Sequence, residues 1–142
     1  MSGFITTDGA DHLMSVLTGV SDPLTQFWVA LVTAQVGTSE SGEELSEPTQ
    51  SDYGRAAISN GPENWMVAYG AVTNTTTVAF GIPGVDPWVG IVGWALCDSE
   101  TGGKILYAGE SEPYDVEVGD QTFLPPGSIT LAVDMVGWRE MT

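Results

Sequence analysis

Glycine and proline break this chain so often that no long regular element fits, and the stretches between the breaks are β-forming. Eighteen glycines and eight prolines are spread over 142 residues. Between them stand short runs of β-branched and aromatic residues, of which 26–33 and 88–97 are the most apolar. Runs of this kind, ended by Gly, Pro, Asn or Asp, are strand signals, and many short strands joined by tight turns predict a sandwich or barrel. The expected fold is all-β: an antiparallel β-sandwich with a short N-terminal α-helix, forming a single domain over residues 1–142. No internal repeat divides it.

The helix is expected within residues 5–19. Thr7 or Asp8 can cap it, Asp8 and Asp11 suit the positive end of the helix dipole, and Gly19 stops it. Ala10, Leu13, Met14 and Leu17 follow helical spacing and make one apolar stripe, which covers part of a sheet or docks on a partner. Gly9 weakens the first turn. After Asp22-Pro23 the period becomes extended. Residues 26–33 are apolar on both faces, which predicts a central strand covered on both sides.

Residues 35–52 then lose nearly all apolar character. Glu40, Glu43, Glu44 and Glu47 stand among Ser, Thr and Gly, with Leu45 between them, so this acidic stretch reads as a long solvated loop ordered only by a partner. Strands are expected at 53–59, 65–69, 75–82 and 88–97, with a bulge or close packing at Gly90 and Gly93. The turn at 98–103 makes a hairpin whose return strand is 104–108. Residues 114–118 alternate as a half-buried strand does, and 128–134 form the last one. The C-terminal tail is 135–142.

Three basic residues (Arg55, Lys104, Arg139) face 19 acidic ones, for a net charge of −16. Such a surface repels phosphate backbones and anionic bilayers, which argues against nucleic acid and membrane as partners. No apolar run approaches the roughly 18 residues of a membrane helix, and the start Met1-Ser2-Gly3-Phe4 lacks the pattern of a cleaved secretory signal. Cys97 is the single cysteine, which excludes an internal disulfide; flanked by Trp94, Ala95 and Leu96, it reads as an inert thiol inside a strand.

No catalytic residue emerges. His12 is the sole histidine, too little for a zinc site or a nucleophilic triad, and no Gly-x-Ser-x-Gly elbow exists. Glu110, Glu112, Asp115, Glu117 and Asp120 cluster, with Asp98 and Glu100 in a nearby hairpin. These oxygens invite a calcium site or paired-carboxylate chemistry on a sugar, but they lack a metal-loop pattern, and solvated turns are the simpler reading. No cofactor is expected. Of the five tryptophans (28, 65, 88, 94 and 138), Trp28 and Trp94 sit in runs apolar on both faces and belong in a core. Trp138 and Arg139, in a tail too short to bury them, are candidates for contact with a neighbouring subunit. Arg55 is a third candidate, pairing with an acid across an interface or, equally, inside the chain.

Five phrases in fixed order carry a resemblance. They are Phe27-Trp28-Val29-Ala30-Leu31-Val32-Thr33-Ala34, Tyr53-Gly54-Arg55, Val78-Ala79-Phe80-Gly81-Ile82-Pro83, Gly93-Trp94-Ala95-Leu96-Cys97-Asp98 running into Gly102-Gly103-Lys104-Ile105-Leu106, and the stretch 127–133. In this order they resemble small tail-fibre-like or minor tail proteins of double-stranded DNA bacteriophages. The likeness spans about residues 5–134. It departs in the acidic loop, which is longer and poorer in glycine, in a transposed Gly-Trp at 93–94, and in the tail, which lies beyond the match.

The resemblance implies a virion structural protein rather than an enzyme. It favours a tail-associated accessory subunit, with capsid decoration on the head surface as the alternative. The implied partners are other virion proteins and further copies of the chain, most simply as a trimer. Two rivals from other classes are a carbohydrate-binding module, which needs exposed tryptophans, and a small hydrolase, which needs a cleft with paired acids.

Overall fold

A computed structural model describes residues 3–132. In chain order the elements are β1 (Gly3–Ile5), α1 (Thr7–Leu17), β2 (Gln26–Val32), β3 (Ala56–Ser59), β4 (Trp65–Ala68), β5 (Ala71–Asn74), β6 (Val78–Ala79), β7 (Trp88–Cys97), β8 (Ile105–Val116), β9 (Phe123–Leu124) and β10 (Thr130–Ala132). The all-β, sandwich-like architecture expected from the turn-rich sequence is present, with every strand pairing antiparallel. One five-stranded sheet, β1-β8-β7-β2-β3, is faced by a three-stranded sheet, β10-β5-β4, and by the short pair β6-β9.

The core explains why β2 and β7 lack polar alternation. Val29 and Leu31 of β2, with Trp88, Ile91, Trp94 and Leu96 of β7, point into a large cluster that also holds Phe80, Leu124 and Ile129 from the facing strands and loops. The alternate residues Ala30, Val32, Ala95 and Cys97 point the other way, into a second cluster with Ile105, Ala108, Val36 and Leu45. Strands apolar on both faces must be covered on both, since successive side chains point to opposite sides of a sheet. The first cover is sheet; the second is loop.

Several boundaries differ from expectation. β7 spans the predicted 88–97, and its pairing with β8 shifts register around residues 88–93, where Gly90 and Gly93 were expected to bend it. Residues 65–82, read as two extended pieces, instead hold a β4–β5 hairpin turning at Tyr69-Gly70, then the separate β6. The return strand continues from 105 to 116 as one β8, which takes in residues 114–116 of the strand predicted at 114–118 and stops there. Asn74 is the polar residue on which the facing sheet turns. Its buried amide donates to the carbonyls of Thr76 and Pro125 and accepts from the backbone N–H groups of Gly127 and Ile129, which pins the 125–129 turn to β5.

α1 is capped one residue earlier than expected, by Thr6, whose hydroxyl accepts from Gly9 N–H at 2.9 Å. It ends at Leu17 with Thr18 as its C-cap, and Gly19, expected to stop it, follows with a left-handed φ of 77°. The predicted stripe is not the buried face. Leu13, Met14 and Leu17 are exposed, by 44, 56 and 75%, whereas Gly9 is buried against β8. A Cβ at Gly9 would lie 1.8 Å from the Leu106 carbonyl oxygen. Gly9 is therefore less a weakness of the helix than the condition for its approach to the sheet.

Gly9→Ala makes a direct test. In a free helix the change gains about 1 kcal/mol of helix propensity; here the clash with backbone outweighs it. A net loss of about 2 kcal/mol is expected in urea unfolding, on the scale of overpacking penalties. A gain would show that the helix does not pack this closely.

Candidate functional site

The acidic stretch 35–52, expected to be solvated and ordered only by a partner, is held from within. Val36 and Leu45 are buried in the second core cluster. Gly42 N–H bonds to the Gly103 carbonyl at 2.9 Å, Ser41 bridges Lys104, and Thr33 N–H bonds to Ser46 O at 2.9 Å. The loop is thus laid along the β7–β8 hairpin. The approach is so close that a Cβ on Gly42 would stand 2.0 Å from Gly102 O.

Arg55 clamps this arrangement. Its Nε donates to Glu47 Oε1 and its Nη2 to Glu47 Oε2, both at 3.0 Å, a two-pronged ion pair. Nη1 donates to the carbonyls of Ser99 and Gly102 at 2.8 and 2.9 Å, and Nη2 to that of Gly42 at 3.1 Å. A guanidinium has five N–H donors in a fixed fork, and all are used here on three backbone carbonyls, two in the β7–β8 hairpin and one in the acidic loop, and on one carboxylate. Of the two pairings open to Arg55 from sequence, the geometry realises the internal one; only 3% of its side chain is exposed. Burial works to lower its pKa, but the hydrogen bond to Glu47 and the surrounding acidic groups outweigh it and hold the charge.

Glu47 Oε1 also accepts from the Tyr53 hydroxyl at 2.8 Å, and that hydroxyl accepts from Leu31 N–H at 3.0 Å. The β3 pairing stops at Val29, so Tyr53 satisfies a β2 backbone donor beyond the end of the neighbouring strand. Burial, then the Glu47 charge, push the Tyr53 phenol far above its ordinary range, so it remains a proton donor to Glu47. A second carboxylate acts likewise: Asp52 accepts from Gly84 N–H at 2.6 Å and from Trp88 Nε1 at 2.9 Å. The Tyr53 and Trp88 rings meet edge to face at 5.3 Å between centroids.

The remaining candidates disperse. Asp98 accepts from Lys104 N–H and Asp115 from Gly90 N–H, each at 2.8 Å, so both fasten turns. Glu110, Glu112, Glu117 and Asp120 are exposed, and among the described residues no three His, Cys, Asp or Glu side chains converge as metal ligands do. Cys97 is buried, its pKa pushed up to about 12 chiefly by that burial. Trp88 and Trp94 are core residues, while Trp28 and Trp65 are half-buried. No described tryptophan is exposed enough to serve as a sugar platform. Trp138 and Arg139 lie outside the described residues.

What the surface presents instead is apolar. A groove of about 360 Å³ opens between α1 and the β10-β5-β4 sheet, lined by Leu13, Val16, Phe27, Trp65, Val72 and Leu131, with His12 at its side. Met66, Val67 and Tyr69 of the β4–β5 hairpin stand out as exposed apolar side chains. Ile82, Val85, Val89, Val118 and Phe123 are likewise exposed, on the loops and strand ends bordering β6-β9 and the start of β7. Sequence reading missed the groove because its walls come from segments far apart in the chain, α1, β2, β4, β5 and β10 among them. Its one signal was the apolar stripe on α1.

The family model of podophage GP4 fiber I protein gp80 matches residues 3–132. No curated protein matches the chain. The match covers all the described residues, and the chain belongs to this family of phage fibre proteins; it is a virion structural protein.

Removing one partner of a buried ion pair leaves the other charge uncompensated and costs about 3–5 kcal/mol. Arg55→Ala is expected to lose that much in urea unfolding and to speed amide exchange at Gly42. Arg55→Lys keeps the charge but not the fork, and is expected to recover less than half of the loss. Asp52 gives a pH test. The hydrogen bonds from Gly84 and Trp88 lower its pKa, so the unfolded state takes up its proton first as pH falls. Its contribution is full above the ordinary aspartate range and is lost as pH drops through the depressed folded value. Asp52→Asn should lower the urea midpoint at pH 7 and reduce its fall between pH 5 and 3; an unchanged fall would exclude this carboxylate as a source.

Proposed function

We propose that this fibre-family chain is a tail-associated accessory subunit that works by adhesion, binding virion neighbours and further copies of itself. The observation that carries the reading is the family match along 3–132. The use of the polar groups supports it. The Arg55 fork, the Asn74 amide and the carboxylates of Glu47, Asp52, Asp98 and Asp115 all fasten the chain to itself. Little chemistry is left for a substrate, and the notable surface features are apolar patches, which mark contact sites on soluble proteins.

A homo-oligomer, most simply a trimer, fits such a part. With a net charge of −16, copies repel one another until a specific apolar interface overcomes the repulsion. Trp138 and Arg139 are the side chains we assign to that contact. Arg55 serves it indirectly, by holding the acidic loop in place.

Cryo-EM of intact particles tests the placement. Density fitting the 3–132 body is expected on the tail, in several symmetry-related copies. Density on the head would assign capsid decoration instead. Finding the chain in infected-cell lysate but never in purified particles would overturn the proposal.

A further inference from the structure

We propose that the open edge of β4 pairs with the same edge of a second copy, antiparallel and about a two-fold axis through Val67, joining the two β10-β5-β4 sheets into one. This goes beyond the reading above: the contact is made by backbone, apart from Trp138 and Arg139, and gives a dimer by itself.

The edge is unguarded. β4 is the outer strand of its sheet, and among the described residues β5 is the one strand it pairs with. Met66, Val67, Ala68 and Tyr69 are all exposed, Val67 by 74% and Tyr69 fully. Natural edges are blunted by lysine, proline or a bulge, because unpaired N–H and C=O groups are a template for another strand. β4 reads Trp65-Met66-Val67-Ala68 and pairs with β5 in unbroken register, so it has none of these guards. Ala132, where the described chain ends, lies on β10, at the opposite edge of the same sheet.

The hydrogen-bonding groups that β4 leaves open match themselves. Tyr69 and Gly70 both have positive φ, 53° and 75°, as in a two-residue type I′ hairpin turn. The residues flanking such a turn, here Ala68 and Ala71, form a hydrogen-bonded pair. Alternation then aims the backbone groups of Met66 and Ala68 at β5 and those of Val67 outward. Two bonds fix this parity: Thr75 N–H reaches Asn64 O at 2.8 Å, whereas Asn74 N–H points the other way, to Ile129 O at 3.2 Å. Trp65 N–H also faces outward but is taken by Gly61 O. Two donors remain, the N–H groups of Val67 and Tyr69, and two acceptors, the carbonyls of Trp65 and Val67. With Val67 set opposite Val67 of the second copy, Tyr69 N–H of each copy meets Trp65 O of the other, and all four groups are used. A plain extended strand would aim a carbonyl at the Trp65 N–H that is already taken. The left-handed Tyr69 turns its carbonyl out of the ladder, so the second copy avoids that orphan.

Tyr69 itself points to this contact. The first central position of a type I′ turn favours Asn, Asp or Gly, and a bulky residue is held there at a steric cost. In the paired edge it stands opposite Trp65 of the second copy, an aromatic cross-strand pair.

Charge permits the approach. The chain carries −16, yet β4, β5 and β10 hold no charged residue, and none occurs between Glu63 and Asp86. The two-fold axis sends Glu63 of the two copies to opposite ends of the joined strands, outside the roughly 13 Å between the two Trp65 residues. That exceeds the screening length of about 8 Å at physiological salt. Two like-charged bodies thus meet along a neutral strip.

Opposite-charge substitution in the full-length chain tests the axis, with Trp138→Ala in every sample to set aside the contact assigned above. Two short edges bury little surface, so a dissociation constant on the order of 10–100 µM is expected by sedimentation equilibrium. Val67→Glu and Val67→Lys, at an exposed position, should each weaken association about tenfold, since like charges then face each other across the axis. Mixing the two should restore a heterodimer. Val67→Pro removes an outward N–H that β5 does not use and should weaken association as much, with near-ultraviolet circular dichroism from the buried Trp88 and Trp94 unchanged. Amide exchange at Val67 and Tyr69 should slow as chain concentration rises. Protection independent of concentration would overturn the proposal in favour of a cover from within the chain. A monomer at all concentrations, or association that the three variants leave unaltered, would also overturn it. A mixture no stronger than its components would overturn the two-fold register.

Discussion

Two adjacent strands that are apolar on both faces dictate most of this molecule. β2 and β7 put Val29, Leu31, Trp94 and Leu96 on one side and Ala30, Val32, Ala95 and Cys97 on the other. Neither side can face water, so the chain must supply two covers. On the first side it supplies sheet, since large residues such as Trp88, Ile91 and Phe80 fill the wide gap between facing layers. On the second side the strand residues are small, and backbone approaches closely enough for an irregular segment to serve.

That second cover creates the electrostatic problem of the fold. A segment carrying Glu40, Glu43, Glu44 and Glu47 has little apolar surface of its own, with Val36 and Leu45 as its only described buried aliphatic side chains. Its backbone must be tied down by polar contacts. One guanidinium does this by joining the loop at Gly42 and Glu47 to the hairpin at Ser99 and Gly102. Such a buried pair is favourable when every donor and acceptor is matched, as here, and hazardous otherwise. The buried amide of Asn74 is matched in the same way, and the exposed carboxylate of Asp52 ties Gly84 to Trp88 from the surface. The buried side chains of Arg55 and Asn74 act as fasteners of the chain to itself.

Much of this was legible in the residues. The run 88–97 reads as a strand from its composition alone and is one. The all-β class follows from turns that recur too often for helices, and the central position of 26–33 follows from apolar residues on both faces. The five ordered phrases by themselves resemble phage tail-fibre-like proteins, and the family match agrees. The hairpin at 65–74 was hidden because its turn, Tyr69-Gly70, was read as the end of one strand. β6 and β9 were hidden because two-residue strands have no period to detect.

By itself, then, the sequence determined where the chain extends, where it turns, how acidic it is and which family it resembles. These depend on local sterics and on charge, which act over a few residues or need no geometry at all. Which face of α1 is buried, what orders the acidic loop and which partner Arg55 takes were decided by the tertiary structure alone. Each joins positions distant in the chain: Gly9 with Leu106, Gly42 with Gly103, Arg55 with Ser99 and Gly102. A one-dimensional pattern holds no record of such distances. Packing selects them, through the close approach that only glycine at 9 and 42 permits and the number of hydrogen bonds that one buried guanidinium must satisfy.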